Sequence, residues 1–257
     1  MTIHHPETVT GQYKTTDRLH TRISIHERYS RNKLGFNRWI TRQLPLRENL
    51  RILELGCGTG AMWTQLESPL PSGCTLTLTD LSEGMLEASR QALAGWNHVT
   101  FLQADAQDLP FADASFDLVI ANMMLYHVPD IAGALAEIRR VLTPKGMLCA
   151  ATFGEHGVVE AVQTMFSLTG ERNFRFTLQN GKAQLTPFFT HTELRLYEDA
   201  LDVTNPKDLV AYLRSLSSMA GLDQISDQQL LQAFEDRMVN GVLSLPKEYG
   251  LFLCRRA

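Results

Sequence analysis

The sequence predicts an α/β fold in which a parallel sheet is covered by helices on both faces. Three observations predict it. Short β-rich runs alternate with stretches of helical period, the run Arg51–Leu55 leads straight into a glycine-rich turn, and polar residues follow the ends of several runs. Alternating strands and helices form βαβ crossovers, which produce a parallel sheet. The chain of 257 residues is 44% hydrophobic, which is enough for one sizeable core, so we expect a single domain.

The N-terminal part, residues 1–47, is predicted to be a helical cap. Residues 1 to about 20 are polar and without period, so we expect them to be poorly ordered. From Ile23 to Leu44 apolar residues recur at helical spacing and predict two helices broken near Gly35. From Lys14 to Arg51 there are ten basic and three acidic residues, a local balance of +7. A solvated helix face is the common meaning of such charge, but binding of RNA or of an anionic metabolite stays open.

The core, residues 48–152, contains five predicted strands, each short and bounded by turn residues. They are Arg51–Leu55, Cys74–Thr79, Val99–Leu102, Phe116–Ala121 and Met147–Thr152. Ser82 and Asp130 are placed to cap the helices that follow them. Another helix is expected to begin at Ala61, and residues 143–146 predict a turn before the fifth strand.

The C-terminal part, residues 153–257, has a less regular pattern. We predict a helix over 158–168, an irregular stretch over 174–190 and a strand over 193–203. Pro206 and Ser226 mark the beginnings of two further helices, the second with the spacing of a capping box. Residues 249–254 predict a terminal strand.

The glycine turn after the first strand is the clearest functional signal. Gly56, Gly58 and Gly60 alternate, and residues without a Cβ let the backbone turn sharply while a ligand lies against it. A helix starting at Ala61 would direct its free N–H groups at that ligand, which favours a nucleotide-like molecule. The pattern Gly56-x-Gly58-x-x-Ala61 also fits dinucleotide binding. An NAD-dependent oxidoreductase is therefore an alternative, although no hydride-transfer partner is recognisable.

The run Glu54-Leu-Gly-Cys-Gly-Thr-Gly60, with Asp80 and Asp105 downstream, resembles the first motif and the acidic positions of the class I S-adenosylmethionine (SAM)-dependent methyltransferases. The resemblance covers about residues 51–152. It implies a doubly wound, mostly parallel, seven-stranded sheet that ends in an antiparallel hairpin. Residues 204–241 would then be a helical insertion between the last two strands.

The resemblance also implies SAM as cofactor, S-adenosylhomocysteine (SAH) as product, and a set of cofactor-binding positions. Asp80 would bind the ribose hydroxyls, Asp105 with Ala106 the adenine, and Asn122 the methionine part. The full set is Tyr29, Glu54, Gly56, Cys57, Gly58, Gly60, Asp80, Leu81, Met85, Asp105, Ala106 and Asn122. Capping and loop roles are the plain alternatives for Asp80 and Asp105.

Methyl transfer from a sulfonium is an in-line displacement, so the protein mainly holds the acceptor close, aligned and dry. Where a base helps, His127 is the candidate, although a structural role is favoured for it. Tyr29 and Tyr126 would shield the sulfonium with their rings, or simply pack. We predict that the segments 23–44 and 205–240 close the carboxyl ends of the strands, with Tyr29 near the cofactor.

A small-molecule acceptor is favoured, because no Pro-Cys, Asn-Pro-Pro-Tyr or Asp-Pro-Pro-Tyr run typical of base methylation is present. An RNA- or tRNA-directed enzyme and a non-catalytic SAM-binding protein stay open. The four cysteines are far apart, so we expect small buried side chains and no metal site. Without an apolar run of 18 residues or a leader pattern, a cytoplasmic protein that does not enter a membrane is expected. Nothing in the sequence indicates the oligomeric state.

Overall fold

Seven strands form one sheet in the order β3-β2-β1-β4-β5-β7-β6 in the computed structural model, which describes residues 17–168, 175–216 and 221–256, with side chains from residue 21 onward. The strands are β1 Arg51–Leu55, β2 Thr75–Asp80, β3 Val99–Gln103, β4 Phe116–Asn122, β5 Leu142–Phe153, β6 His191–Val203 and β7 Leu243–Arg255. β1 to β5 are parallel, and β7 is antiparallel to both β5 and β6. The predicted doubly wound sheet with a terminal hairpin is confirmed. The expectation of disorder falls largely on residues 1–16, outside the described residues.

Helices precede, connect and follow these strands. They are α1 Asp17–Tyr29, α2 Phe36–Gln43, α3 Glu83–Ala92, α4 Ile131–Val141, α5 Val158–Met165, α6 Gly181–Leu185, α7 Pro206–Ser215 and α8 Asp227–Glu235. Three cap predictions are confirmed, since Ser82 accepts from the Met85 N–H, Asp130 from the Gly133 N–H, and Ser226 forms its capping box. α7 and α8 lie between β6 and β7 in the chain, as the insertion predicts.

Alternate residues of the central strands pack into two different cores. Leu53 of β1 and Val119 of β4 join the cluster around α4, whereas Ile52 and Leu118 join the cluster around α2 and α3. A third cluster, around α1, α5, α7 and α8, includes Ile25 of the N-terminal cap. The cap is therefore packed against the C-terminal half of the chain.

Three local predictions were wrong. The helix expected from Ala61 is only a 3-10 turn, Trp63–Gln65. It does not continue, because the Trp63 side chain is fully buried in the core and Pro69 restricts the backbone just downstream. The predicted turn at 143–146 is a bulge within β5, whose partner register passes from Phe116 with Leu142 to Leu118 with Met147. The stretch 174–190, expected to be irregular, contains the short helix α6.

Candidate functional site

A cavity of about 990 Å³ lies at the carboxyl ends of the parallel strands. Its lining includes residues just after β1, β2, β3 and β4, which is where open α/β sheets bind ligands. Residues of α1, of the beginning of α2 and of α7 line it as well. The two segments predicted to close this end of the sheet therefore do border the cavity.

Most of the predicted cofactor positions line this one cavity. They are Glu54, Gly56, Cys57, Gly58, Asp80, Leu81, Met85, Asp105, Ala106 and Asn122. His127 and Tyr126, in the 3-10 turn after β4, line it too, with their ring centroids 4.4 Å apart. Gly60 and Tyr29 are absent from the lining.

The glycines of the turn serve different purposes. All three have positive φ, which disfavours side chains. A Cβ on Gly58 would meet nothing within 4 Å, so this glycine leaves open space beside the backbone. A Cβ on Gly60 would lie 2.6 Å from Ser89 Oγ, so this glycine allows the turn to pack on α3. Gly60 therefore has a packing role that spacing alone does not reveal, and its contact with the cofactor stays a prediction.

Tyr29 also lies elsewhere than predicted. Its hydroxyl donates to Asp208 Oδ2 of α7 at 2.6 Å, and Arg28 pairs with the same carboxylate at 3.0 Å. Tyr29 thus ties α1 to α7 outside the cavity lining. Helical period predicts which residues share a face, but it does not say which partner that face meets.

Asp80 ties the glycine turn to the start of α3. The Gly58 N–H donates to its Oδ2 and the Ser82 N–H to its Oδ1, both at 2.9 Å. Ser82 is the helix cap, so the capping alternative for Asp80 does not hold. Burial raises the pKa of the Asp80 carboxyl. Each oxygen has one backbone donor, which leaves acceptor capacity for a ligand hydroxyl.

Glu54 is buried beneath the turn, with 2% of its surface exposed. Trp63 Nε1 donates to its Oε2 at 2.5 Å. Burial raises the pKa of Glu54 to about 8, because the hydrogen bond from Trp63 only partly offsets desolvation and Asp80 is also nearby. The carboxyl group is thus mostly protonated at neutral pH.

Asp105 and Asn122 each have a partner that sequence reasoning missed. Gln107 donates to Asp105 from its backbone N–H at 2.9 Å and from its side chain at 3.0 Å. Asn122 Nδ2 donates to Asn37 Oδ1 of α2 at 3.3 Å, whereas its Oδ1 is buried without a partner in the structure. Gln107 lies two residues from Asp105, a spacing that could have been noticed, but the contact with Asn37 spans 85 residues.

A second polar group borders the cavity away from the glycine turn. Lys247 Nζ contacts Asp199 Oδ2 at 2.7 Å and Ser30 Oγ at 2.8 Å, and the Lys247 and Asp199 side chains are 2% and 0% exposed. Burial lowers the pKa of Lys247. The Tyr249 hydroxyl lies 3.2 Å from His26 Nε2. Sequence reasoning missed this group because its members come from α1, β6 and β7, without a local motif.

Several basic residues of the N-terminal stretch pair with carboxylates from elsewhere in the chain. Its ion pairs include Arg28 with Asp208, Arg31 with Asp202, Arg42 with Glu67 and Arg51 with Asp117. Part of the local excess of positive charge is therefore offset by these pairs.

The four cysteines are free and buried, as expected, and burial raises the pKa of Cys254 to about 12. Over the part of the chain that the structure describes, no group of three His, Cys, Asp or Glu side chains is arranged to hold a metal ion. None of the helices described has the length and apolar character needed to cross a membrane.

Comparisons with known proteins agree with this geometry. The family described as a methyltransferase domain matches residues 53–150. A demethylmenaquinone methyltransferase of Staphylococcus aureus is 36% identical over 135 residues, which are 52% of this chain and 54% of the relative. The chain spans about half the length of the curated relatives it matches.

Solved structures share the fold at low sequence identity. YcgJ of Bacillus subtilis has a TM-score of 0.62 at 19% identity and covers 86% of this chain and 97% of its own. The [4+2]-cyclase SpnF has a TM-score of 0.62 at 18% identity, over 98% of this chain and 96% of its own. At these identities the solved structures show a shared fold and nothing more. The match to the methyltransferase domain, in contrast, covers the residues that follow β1, β2, β3 and β4.

Proposed function

We propose that this chain is a class I SAM-dependent methyltransferase that transfers the methyl group of SAM to a small-molecule acceptor. One observation carries the proposal: ten of the twelve residues that the resemblance assigns to the cofactor line a single cavity, and nearly all of them lie at or just after the ends of four different strands. A structural role for each residue taken separately would not require them to meet.

The residues present fit SAM. Gly58 offers open space where a Cβ would project, and the buried Asn122 Oδ1 lacks a partner in the described structure. Asp80 would hold the ribose, Asp105 and Ala106 the adenine, and Asn122 the methionine part. When bound, SAM supplies a methyl group on a sulfonium, which is already a good leaving group.

The chain's own contribution is to bind, orient and exclude water. Asp80 holds the glycine turn against α3, and Gln107 fixes the carboxylate of Asp105. Residues of α1 and α7 border the cavity on the side that the bare sheet would leave open. A water-poor cavity favours displacement by an aligned acceptor. His127 lines the same cavity and is kept as the candidate base for acceptors that must lose a proton.

A small acceptor with an apolar body suits the rest of the lining. Apolar side chains from α1, α2, α5, α7 and the turn after residue 221 face this part of the cavity, namely Ile23, Phe36, Val158, Leu213 and Leu222. A volume of about 990 Å³ is within the range of small-molecule sites. The matched relatives are named for a quinone-type acceptor, which is consistent with this class. The paired charges of the N-terminal stretch give RNA less support.

A SAM-binding protein without methyl transfer is the second candidate, since a protein of this fold is named a [4+2]-cyclase. Two measurements separate the candidates. Calorimetric titration with SAM, SAH and NAD tests the cofactor, and mass-spectrometric detection of SAH and methylated product tests turnover with a panel of aromatic acids and phenols. We expect binding of SAM and SAH, no binding of NAD, and SAH formation that depends on an acceptor. Binding of NAD alone would overturn the proposal, and binding of SAM without turnover on any acceptor would favour the second candidate.

A further inference from the structure

Unpaired buried polar atoms mark a second part of the cavity. Among the cavity-lining residues, Arg22 Nε, His26 Nδ1, Asn122 Oδ1 and Gln163 Oε1 are buried and have no hydrogen-bond partner in the structure as described. Buried polar groups are nearly always paired, so each of these atoms requires a reason. Asn122 belongs to the cofactor positions. The other three all lie outside the matched residues 53–150, Arg22 and His26 on α1 and Gln163 on α5. None of them has a predicted role in cofactor binding.

Arg22 and His26 are four residues apart on α1 and therefore lie on the same side of the helix. Each is anchored at one end. Arg22 Nη2 donates to the Ser215 carbonyl of α7 at 2.6 Å, and His26 Nε2 lies 3.2 Å from the Tyr249 hydroxyl. The Tyr212 ring meets the His26 ring edge-on at 5.8 Å between centroids. These anchors hold both side chains and leave Arg22 Nε and His26 Nδ1 without a hydrogen-bond partner among the described residues.

Hydrogen-bond accounting assigns the proton on His26. Burial lowers its pKa to about 3, with Lys247 adding to the effect and Asp199 opposing it, so the ring is neutral at neutral pH. Among the described residues, His26 Nε2 is the hydrogen-bond partner of the partly buried Tyr249 hydroxyl, so we assign the hydroxyl as the donor and Nε2 as the acceptor. The single ring proton is therefore on Nδ1, which makes Nδ1–H a donor. A ring that is so hard to protonate is also a poor base.

We propose that Arg22 Nε–H and His26 Nδ1–H form a two-donor subsite that binds an anionic oxygen of the methyl acceptor, a carboxylate or a phenolate carried on an apolar body. This rests on the proposed function and deepens it by naming the class of acceptor. Two donors, one of them on a guanidinium, match an oxyanion. Gln163 Oε1 is an acceptor and lies outside this subsite.

Several other charged side chains of the lining have partners of their own or are exposed to solvent. Glu160 pairs with His156 at 2.9 Å and Arg214 with Asp227 at 2.8 Å. Glu155 accepts from Thr177 and Glu248 from Gln179, both at 2.9 Å, and Arg175 donates to the Pro129 carbonyl at 2.6 Å. Glu27 and Asp223 are exposed to solvent. Lys247 also lines the cavity, and its ammonium group is already paired with Asp199. An ammonium acceptor would have to be buried beside Arg22 without a counter-charge, which is unfavourable.

Calorimetry with two matched probes tests the subsite in protein saturated with SAH. The probes are 4-phenylbenzoate and 4-phenylbenzylamine, which share a two-ring body and carry opposite charges. We expect the carboxylate to bind at least about tenfold more tightly than the amine, and Arg22→Gln and His26→Gln each to weaken it by about tenfold. Arg28→Gln is the control, because Arg28 is on the same helix but exposed and paired with Asp208. It should leave the affinity unchanged.

The SAH affinity separates this inference from the proposed function. It should be unchanged in all three variants, and its absence in the wild type would refute the proposed function itself. If SAH binds but the amine is preferred, the carboxylate does not bind, or both variants bind the carboxylate like wild type, the subsite is refuted. Since the two substitutions are on separate side chains, failure of one variant to fold leaves the other as the test.

Discussion

Replacement of Asp80 by asparagine separates a cofactor role from a structural one. The carboxylate accepts one backbone N–H on each oxygen, from Gly58 and from Ser82. Asparagine can accept one of these bonds and turns an NH₂ group toward the other donor. Because burial already disfavours the charged form, the loss of one bond should lower the free energy of unfolding by only about 1 kcal/mol. A ribose bound to the carboxylate loses a charged acceptor, which costs about 1.5 to 3 kcal/mol, or about 10- to 150-fold in SAH affinity.

Calorimetric titration with SAH and urea denaturation measure the two effects separately. Asp117→Asn is the matched control, since Asp117 accepts from the backbone and the guanidinium of Arg51 at the opposite end of the sheet. It should reduce stability and leave SAH affinity unchanged. If Asp80→Asn binds SAH like the wild type, Asp80 only ties the glycine turn to α3, and the ribose assignment is refuted.

Three further predictions concern the turn and the buried charges. Gly58→Ala should lower the SAH affinity measured by calorimetry more than Gly60→Ala does, because Gly58 leaves open space beside the backbone. Gly60→Ala should instead lower the free energy of unfolding more, because Gly60 packs on α3. The reverse order would contradict these two roles. The folded state keeps a proton on Glu54 that the unfolded state releases above pH 4.5, so stability should fall by about 1.4 kcal/mol per pH unit from about pH 5.5 to 7.5. Glu54→Gln should lose this pH dependence of the free energy of unfolding, measured by chemical denaturation at several pH values. If the variant keeps the wild-type pH dependence, Glu54 is ionised in the folded protein. Lys247→Met should lower the free energy of unfolding by about 3 to 5 kcal/mol, because it leaves the buried Asp199 carboxylate without its partner. The double variant with Asp199→Leu should lose less than this, whereas additive losses in chemical denaturation would argue against a buried pair.

The sheet and the glycine-turn side of the cavity could be predicted because both follow from local rules. Strand boundaries for β1 were right at both ends, and the polar residues after β2, β3 and β4 meet because parallel strands end at one edge. The errors have local causes as well. Spacing cannot tell a glycine that makes room for a ligand from one that makes room for a helix, so the packing of Gly60 against Ser89 was not predicted.

The α1 side of the cavity could not be predicted because it is formed by contacts between residues that are far apart in the sequence. His26 meets Tyr249 across 223 residues, and Arg22 meets Ser215 across 193. Helical period placed the apolar stripe of α1 correctly, with Ile25 buried in the third cluster. It could not show that Arg22 and His26 face the cavity while Tyr29 bonds to Asp208, since that depends on how α1 sits against α7.

A crystal structure of the full chain with SAH tests the central claim most directly, namely that one cavity holds the cofactor on the glycine-turn side and the acceptor on the α1 side. We predict the ribose on Asp80, the adenine beside Asp105 and Ala106, and the homocysteine part at Asn122, with Arg22 and His26 left uncovered by the cofactor. SAH bound outside this cavity, or bound within it with its adenosine against Arg22 and His26, would contradict the account.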